Sequence, residues 1–149
     1  EIDPTGKAAL PFLADLSQRE QIHRVFDEVM NAFGGELDIL VNNAGIQRRH
    51  MPEDFPIEEW DEVLAVNLNA VWIMAQLAGR VMLAKGSGKI INIASLNSFL
   101  GGTTVPAYTA AKSGVAGLTL GGPGRQRQCH RSRLHCYLAE HRLDRQPGP

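Results

Sequence analysis

Apolar positions recur along this chain with two different periods, and each period predicts an element. Ala8 to Ala14 is a short apolar run ending at Asp15, the pattern of a buried strand with Pro11 near its start. Ser17-Gln18-Arg19-Glu20 follows, a capping-box sequence in which hydroxyl and carboxylate would satisfy each other's backbone N–H groups and open a helix. Ile22, Val25, Phe26, Val29, Met30 and Phe33 then recur at three-and-four spacing as one buried stripe, and Gly34-Gly35 supplies a left-handed cap. Leu37 to Val41 predicts a second buried strand, running into Asn42-Asn43-Ala44-Gly45. The polar stretch from Gln47 to Phe55 predicts a loop. From Pro56 to Lys85-Gly86 a helical pattern through Trp60, Val63, Leu64, Val71, Met74 and Leu77 is long enough for two helices or one bent one. Lys89 to Ala94 predicts a third strand and Ser95 to Val105 a loop, after which Pro106 opens a helix through Tyr108, Ala111, Lys112, Val115 and Leu118. Strand and helix alternating through short links predict a doubly wound parallel α/β sheet.

Composition narrows the picture. A chain of 149 residues with 44% hydrophobic content suits one globular domain. Fifteen basic against 16 acidic side chains give a net charge of −1, so no basic field exists to hold nucleic acid or an anionic membrane, and neither partner is expected. No apolar stretch is expected to reach the roughly 18 residues of a spanning helix, and Glu1-Ile2-Asp3-Pro4 lacks the order of a secretory signal; a cytoplasmic protein is expected. Cys129 and Cys136 both lie near the carboxyl end, leaving the bulk without a disulfide framework.

Four features carry chemistry. Tyr108 and Lys112 stand four apart on a predicted helix, hence on one face, where an ammonium favours the phenolate form of a neighbouring phenol. Taken alone, such a pair is usually no more than an exposed helix face. Ser95 follows a predicted parallel strand at its carboxyl end, where open α/β sheets place ligands; singly it reads as a loop serine. Asn67 interrupts an apolar helical stretch, and a buried amide there must cap or bend the helix or hold a water. Asn42-Asn43-Ala44-Gly45 lets a ligand approach the backbone, although a plain turn uses the same letters.

Jointly, Asp15 at a strand end, Asn42-Asn43-Ala44-Gly45, Asn67, Ser95 thirteen residues before the tyrosine, and Tyr108-Thr109-Ala110-Ala111-Lys112 resemble the short-chain dehydrogenase/reductase superfamily over about residues 8 to 119. Within it, Asn43 to His50, Ile90 to Ser95 and Val105 to Tyr108 look most like 2-deoxy-D-gluconate 3-dehydrogenases and gluconate 5-dehydrogenases. The resemblance implies a Rossmann-like fold and hydride transfer between a nicotinamide and a secondary alcohol or ketone. Tyr108 would be the acid/base, Lys112 would ease loss of its proton and hold the nicotinamide ribose, Ser95 would hydrogen-bond the substrate oxygen, and Asn67 would fix a water of the proton relay. Asp15, Leu16, Asn42, Ala44 and Gly45 would meet the cofactor, NAD with NADP left open. Arg48 and Arg49 are either solvated loop charges or a pair that meets a sugar-acid carboxylate. The long helix is the kind such enzymes use to pair subunits, so a homo-oligomer, dimer or tetramer, is implied.

Two departures qualify this. The superfamily's opening strand, its glycine-rich turn and the strand that selects NAD or NADP are not found, so the sheet is expected to be incomplete and the chain as written to bind cofactor weakly or not at all and to show little activity; the alternative to the oxidoreductase reading is a catalytically inactive fragment that serves only binding or assembly. From about residue 120 the text loses periodicity and turns rich in Arg, Gly and His. Residues 1–119 thus read as a partial Rossmann-type domain and 120–149 as an irregular tail. Cys129, His130, His135 and Cys136 could suggest zinc. Back-translating Arg127 to Cys136 with permitted codons and reading from the second base, however, spells Val-Asn-Ala-Ile-Ala-Pro-Gly-Tyr-Ile, the superfamily's next strand. Out-of-frame sequence is the expectation, and no metal site.

Overall fold

A computed structural model describes residues 9–120, and the tail with its cysteines and histidines lies outside them. Two four-residue strands, β1 (Ile39–Asn42) and β2 (Lys89–Asn92), pair in parallel with Ile39 opposite Lys89 and Asn42 opposite Asn92. A parallel pair needs a crossover, supplied by the helical stretch Ile57–Lys85. Helix α1 (Arg19–Ala32) precedes β1; a short helix α4 (Asn97–Leu100) and α5 (Pro106–Leu120) follow β2. The parallel α/β arrangement is the Rossmann-like class expected, built here on two strands among the described residues.

The core explains the order. Phe26 of α1, Ala78 and Met82 of the crossover and Ile90 of β2 form one buried cluster; Val71, Ala94 and Val115 form a second where α5 meets the sheet. Gly86, at φ 80°, caps the crossover in the left-handed conformation, and the Ser87 N–H returns to the Met82 carbonyl at 3.1 Å.

The crossover is one continuous helical stretch with a π turn inside it. Between α2 (Ile57–Leu64) and α3 (Ala70–Lys85) lies a single π turn, Ala65–Asn69, in which the Ala70 N–H donates to the Ala65 carbonyl five residues back. Continuity through that turn corrects one expectation: Ile57–Lys85 is long and apolar enough, by length and composition alone, to cross a bilayer. Asn67, Asn69 and Gln76 broke the apolar run on paper, yet uncharged amides leave the window apolar. Val63, Val71, Ala78 and Met82 of this helix are core residues.

Other expectations fail locally. Residues 9–15 form no strand: a strand exists only through a ladder, and here Leu13 is 87% exposed with its carbonyl accepting from Arg24 Nη2. The capping box does not form either. Asp15 outcompetes Glu20 for the turn, its Oδ1 accepting from both the N–H and hydroxyl of Ser17 and its Oδ2 from Gln18 Nε2, while Gln18 becomes the N-cap without a side-chain bond. The buried stripe of α1 stops short of Phe33, which lies half-exposed past the helix end. The loops at 47–55 and 95–105 contain a 3₁₀ turn at Pro52–Asp54 and the single-turn α4.

Candidate active site

The π turn is what presents Asn67. A π bulge rotates the residues within it relative to a straight helix, and such bulges recur at functional sites. Asn67 is fully buried and clasps the backbone of Ile46: its Oδ1 accepts from the Ile46 N–H at 2.8 Å, and its Nδ2 donates to the Ile46 carbonyl at 2.7 Å. The segment leaving β1 is thereby bound to the middle of the crossover.

Gly45 lies at the meeting point. A Cβ built there would stand 3.1 Å from Asn67 Oδ1 and 3.9 Å from Lys112 Nζ, so only a bare backbone leaves the space between amide and amine open. Lys112, on α5 and 3% exposed, donates from Nζ to the Ile93 carbonyl just beyond β2, and Nζ lies 5.9 Å from the centroid of the Tyr108 ring. Burial holds its pKa below the usual lysine value of 10.5.

Ser95 joins from the other side of β2. Its Oγ accepts from the Asn97 N–H at 3.3 Å, leaving the hydroxyl proton free to donate. Its N–H meets Ser98 Oγ, and the Ser98 carbonyl accepts from Ser113 Oγ of α5, beside Lys112. Strand end, serine turn and tyrosine helix are thus tied together.

A cleft of about 120 Å³ opens at the carboxyl end of β1, lined among others by Leu16, Asn42, Asn43, Ala44 and Val66. Asn42 turns its side chain away, donating from Nδ2 to Asn92 Oδ1 at 2.9 Å, and Asn92 Nδ2 continues to Thr119 Oγ1. Its side-chain amide therefore helps fasten the strands at the edge of the cleft. Asp15 stands exposed at the Leu16 turn, its carboxyl held below the usual 3.8 first by the Ser17 hydroxyl, then by the Ser17 N–H.

The arginine pair splits. Arg48 is drawn onto α2, with Nη2 2.9 Å from Glu62 and Nε 3.9 Å from Glu59; Arg49 is exposed, and among the described residues nothing bonds its side chain. Sequence reasoning missed Asn92, Thr119 and Glu59. Asn92 had a signal, a polar residue inside an Ile-Ile-Asn-Ile strand at the register of Asn42; Glu59 had none. No metal-binding group of His, Cys, Asp or Glu occurs among the described residues.

Residues 1–122 match the model of the short chain dehydrogenase family, so the chain belongs to that family. It is 53% identical over 118 residues to the 2-dehydro-3-deoxy-D-gluconate 5-dehydrogenase of Bacillus subtilis, covering 79% of this chain and 46% of the relative. With the Escherichia coli protein of the same name it shares 44% over 120 residues, 80% of this chain and 47% of that one. A solved gluconate 5-dehydrogenase from Burkholderia cenocepacia, in complex with NADP and tartrate, superposes with a TM-score of 0.66 at 44% identity, over 72% of this chain and 42% of that structure. The chain spans about half the length of the relatives it matches.

Proposed function

We propose that this sequence carries the catalytic centre of an NAD- or NADP-linked oxidoreductase that interconverts a secondary alcohol and a ketone on a sugar acid. The observation that carries the reading is the convergence of Lys112 Nζ with the Tyr108 ring, bare Gly45 and the Asn67 clasp beside a strand-end serine. A nicotinamide dinucleotide fits these residues: Gly45 keeps open a cradle that a side chain would fill, Leu16, Asn42 and Ala44 line the cleft at the end of β1, and Asp15 stands exposed in the turn beside Leu16. When bound, it supplies the hydride acceptor or donor. In the oxidative direction the Tyr108 oxygen takes the proton of the substrate hydroxyl, as the carbon beneath gives up hydride. Ser95 donates its free hydroxyl proton to that same substrate oxygen, steadying it where charge develops. Lys112 acts through the Tyr108 ring side and through the ribose; Asn67 keeps Ile46, and with it Gly45, at the right distance from Lys112.

The names of the relatives support a sugar acid, and so does Arg49, exposed and without a side-chain bond among the described residues, four residues beyond Gly45 and so near the carboxyl end of β1. Half-exposed Trp72 and Leu83 on α3 support pairing with a second copy. The test uses a chain of family length: residues 9–119 grafted over the matching segment of the Bacillus subtilis relative. Cofactor reduction that requires gluconate or a 2-dehydro-3-deoxy sugar acid supports the reading; a graft that binds the dinucleotide yet turns over neither acid favours a binding module instead.

A further inference from the structure

The segment from Ile46 to Phe55 is fastened at almost every point. Asn67 holds Ile46, the His50 N–H donates to the Thr104 carbonyl at 3.1 Å, and the His50 ring sits edge-on to Phe55, itself edge-on to Trp60 of α2. Glu59, one turn into α2, receives two of these residues at one oxygen: its Oε2 is 2.8 Å from His50 Nε2 and 3.9 Å from Arg48 Nε. Glu62, the next turn on, takes the far end of the same guanidinium.

Residues two apart in an extended segment point to the same side, and the one between them points to the other. Arg48 and His50 both reach Glu59, so Arg49 is left on the opposite side of the loop. Its Cα is at most about 14 Å along the chain from Gly45, within reach of a substrate held there by a long side chain. We propose that Glu59 is a positioning residue for substrate selection: by fixing His50 on α2, with Glu62 holding Arg48 beside it, it leaves Arg49 alone to meet the substrate carboxylate. Without the Glu59 carboxylate Glu62 still holds Arg48, but His50 loses its partner on α2, the loop loosens at Thr104 and Arg49 is no longer kept to one side. This inference rests on the sugar-acid reading for its ligand but not for its geometry.

The experiment is nitrogen-15 NMR on the family-length graft with NADP present, comparing the unaltered chain with Glu59→Gln and Glu62→Gln, with gluconate as the probe. In the unaltered chain, gluconate is expected to shift the Arg49 Nε–H signal and leave that of Arg48 in place. In Glu59→Gln the His50 amide should exchange about tenfold faster while Ala78 and Met82 keep their protection, and the gluconate-induced shift at Arg49 should fall about threefold or more. A change confined to general stability would not speed His50 exchange while Ala78 and Met82 keep their protection. Glu62→Gln, which touches Arg48 alone, should leave His50 exchange unchanged. Unaltered His50 exchange in Glu59→Gln, an equal effect from Glu62→Gln, or a response at Arg48 in the unaltered chain overturns the proposal. No gluconate response at either arginine in the unaltered chain refutes the sugar-acid reading instead, and the exchange comparison then still decides the role of Glu59.

Discussion

Replacing Asn67 by Ala removes both bonds of the clasp on Ile46, and its cost follows from the geometry. The amide is fully buried and its two bonds, 2.8 and 2.7 Å, are the side-chain ties between the Ile46 backbone and the crossover. A buried backbone group left without a partner costs about 1–3 kcal/mol. Two such groups are released, but Ile46 is only half-buried, so water recovers part of the loss and about 2–4 kcal/mol is expected. Asn67→Asp separates the two bonds: a carboxylate still accepts from the Ile46 N–H but sets its other oxygen against the Ile46 carbonyl, so most of the loss should persist. Asn67→Leu fills the space and should not rescue. Urea unfolding followed by circular dichroism gives the stability change, and amide exchange at Ile46 reports the clasp directly. A loss below about 1 kcal/mol in Asn67→Ala, with Ile46 protection retained, would refute the assignment of these bonds as the anchor of the loop.

Packing around the crossover gives a contrasting pair. Gly88→Ala places a Cβ 2.2 to 2.6 Å from three atoms of fully buried Met82 and should cost about 1–3 kcal/mol, whereas Gly79→Ala, mid-helix with nothing within 4 Å, should stabilise by about 0.5–1 kcal/mol; equal denaturation midpoints would contradict both. Lys112 binds its proton less tightly folded than unfolded, so between its lowered pKa and 10.5 the unfolded state holds more protons and stability rises with pH. Melting curves of the unaltered chain and Lys112→Met should therefore shift in favour of lysine as pH climbs toward 10.5, and a flat difference would count against a buried ammonium. Asp15 follows the same sign in an acid window: its lowered pKa makes its contribution complete above 3.8 and lost as pH falls below, so the gap between Asp15→Asn and the parent should close on acidification.

What was legible in the sequence was whatever neighbouring residues decide among themselves. The stripe of α1, the glycine cap at 34–35, the helical pattern of the crossover and the Tyr108-Lys112 face are all set by spacing within one element. The failures involve partners far away in the chain or, at Ser17, a competing acceptor close by. Residues 8 to 14 have strand composition, but a strand is made by its neighbour, and none pairs with them among the described residues. Ser17 and Glu20 match a capping box, yet a carboxylate two residues before the serine is the stronger acceptor and takes its hydroxyl. At the site, composition marked Asn67 as a buried amide in need of partners; that the partner is Ile46, 21 residues away, required the fold. The two arginines were indistinguishable on paper because Glu59 and Glu62, which separate them, look like any solvated helix face.

The central claim is that Tyr108, set beside Lys112, moves the proton while hydride leaves the substrate carbon. Its most direct test is the initial rate of gluconate-dependent cofactor reduction by the full-length graft, with and without Tyr108→Phe. Phenylalanine keeps the ring beside the lysine and removes only the oxygen that takes the proton, so the rate should fall by about 10²–10⁴-fold while the dinucleotide Kd stays within about threefold. A Tyr108→Phe graft that turns over gluconate at the parent rate would contradict the account.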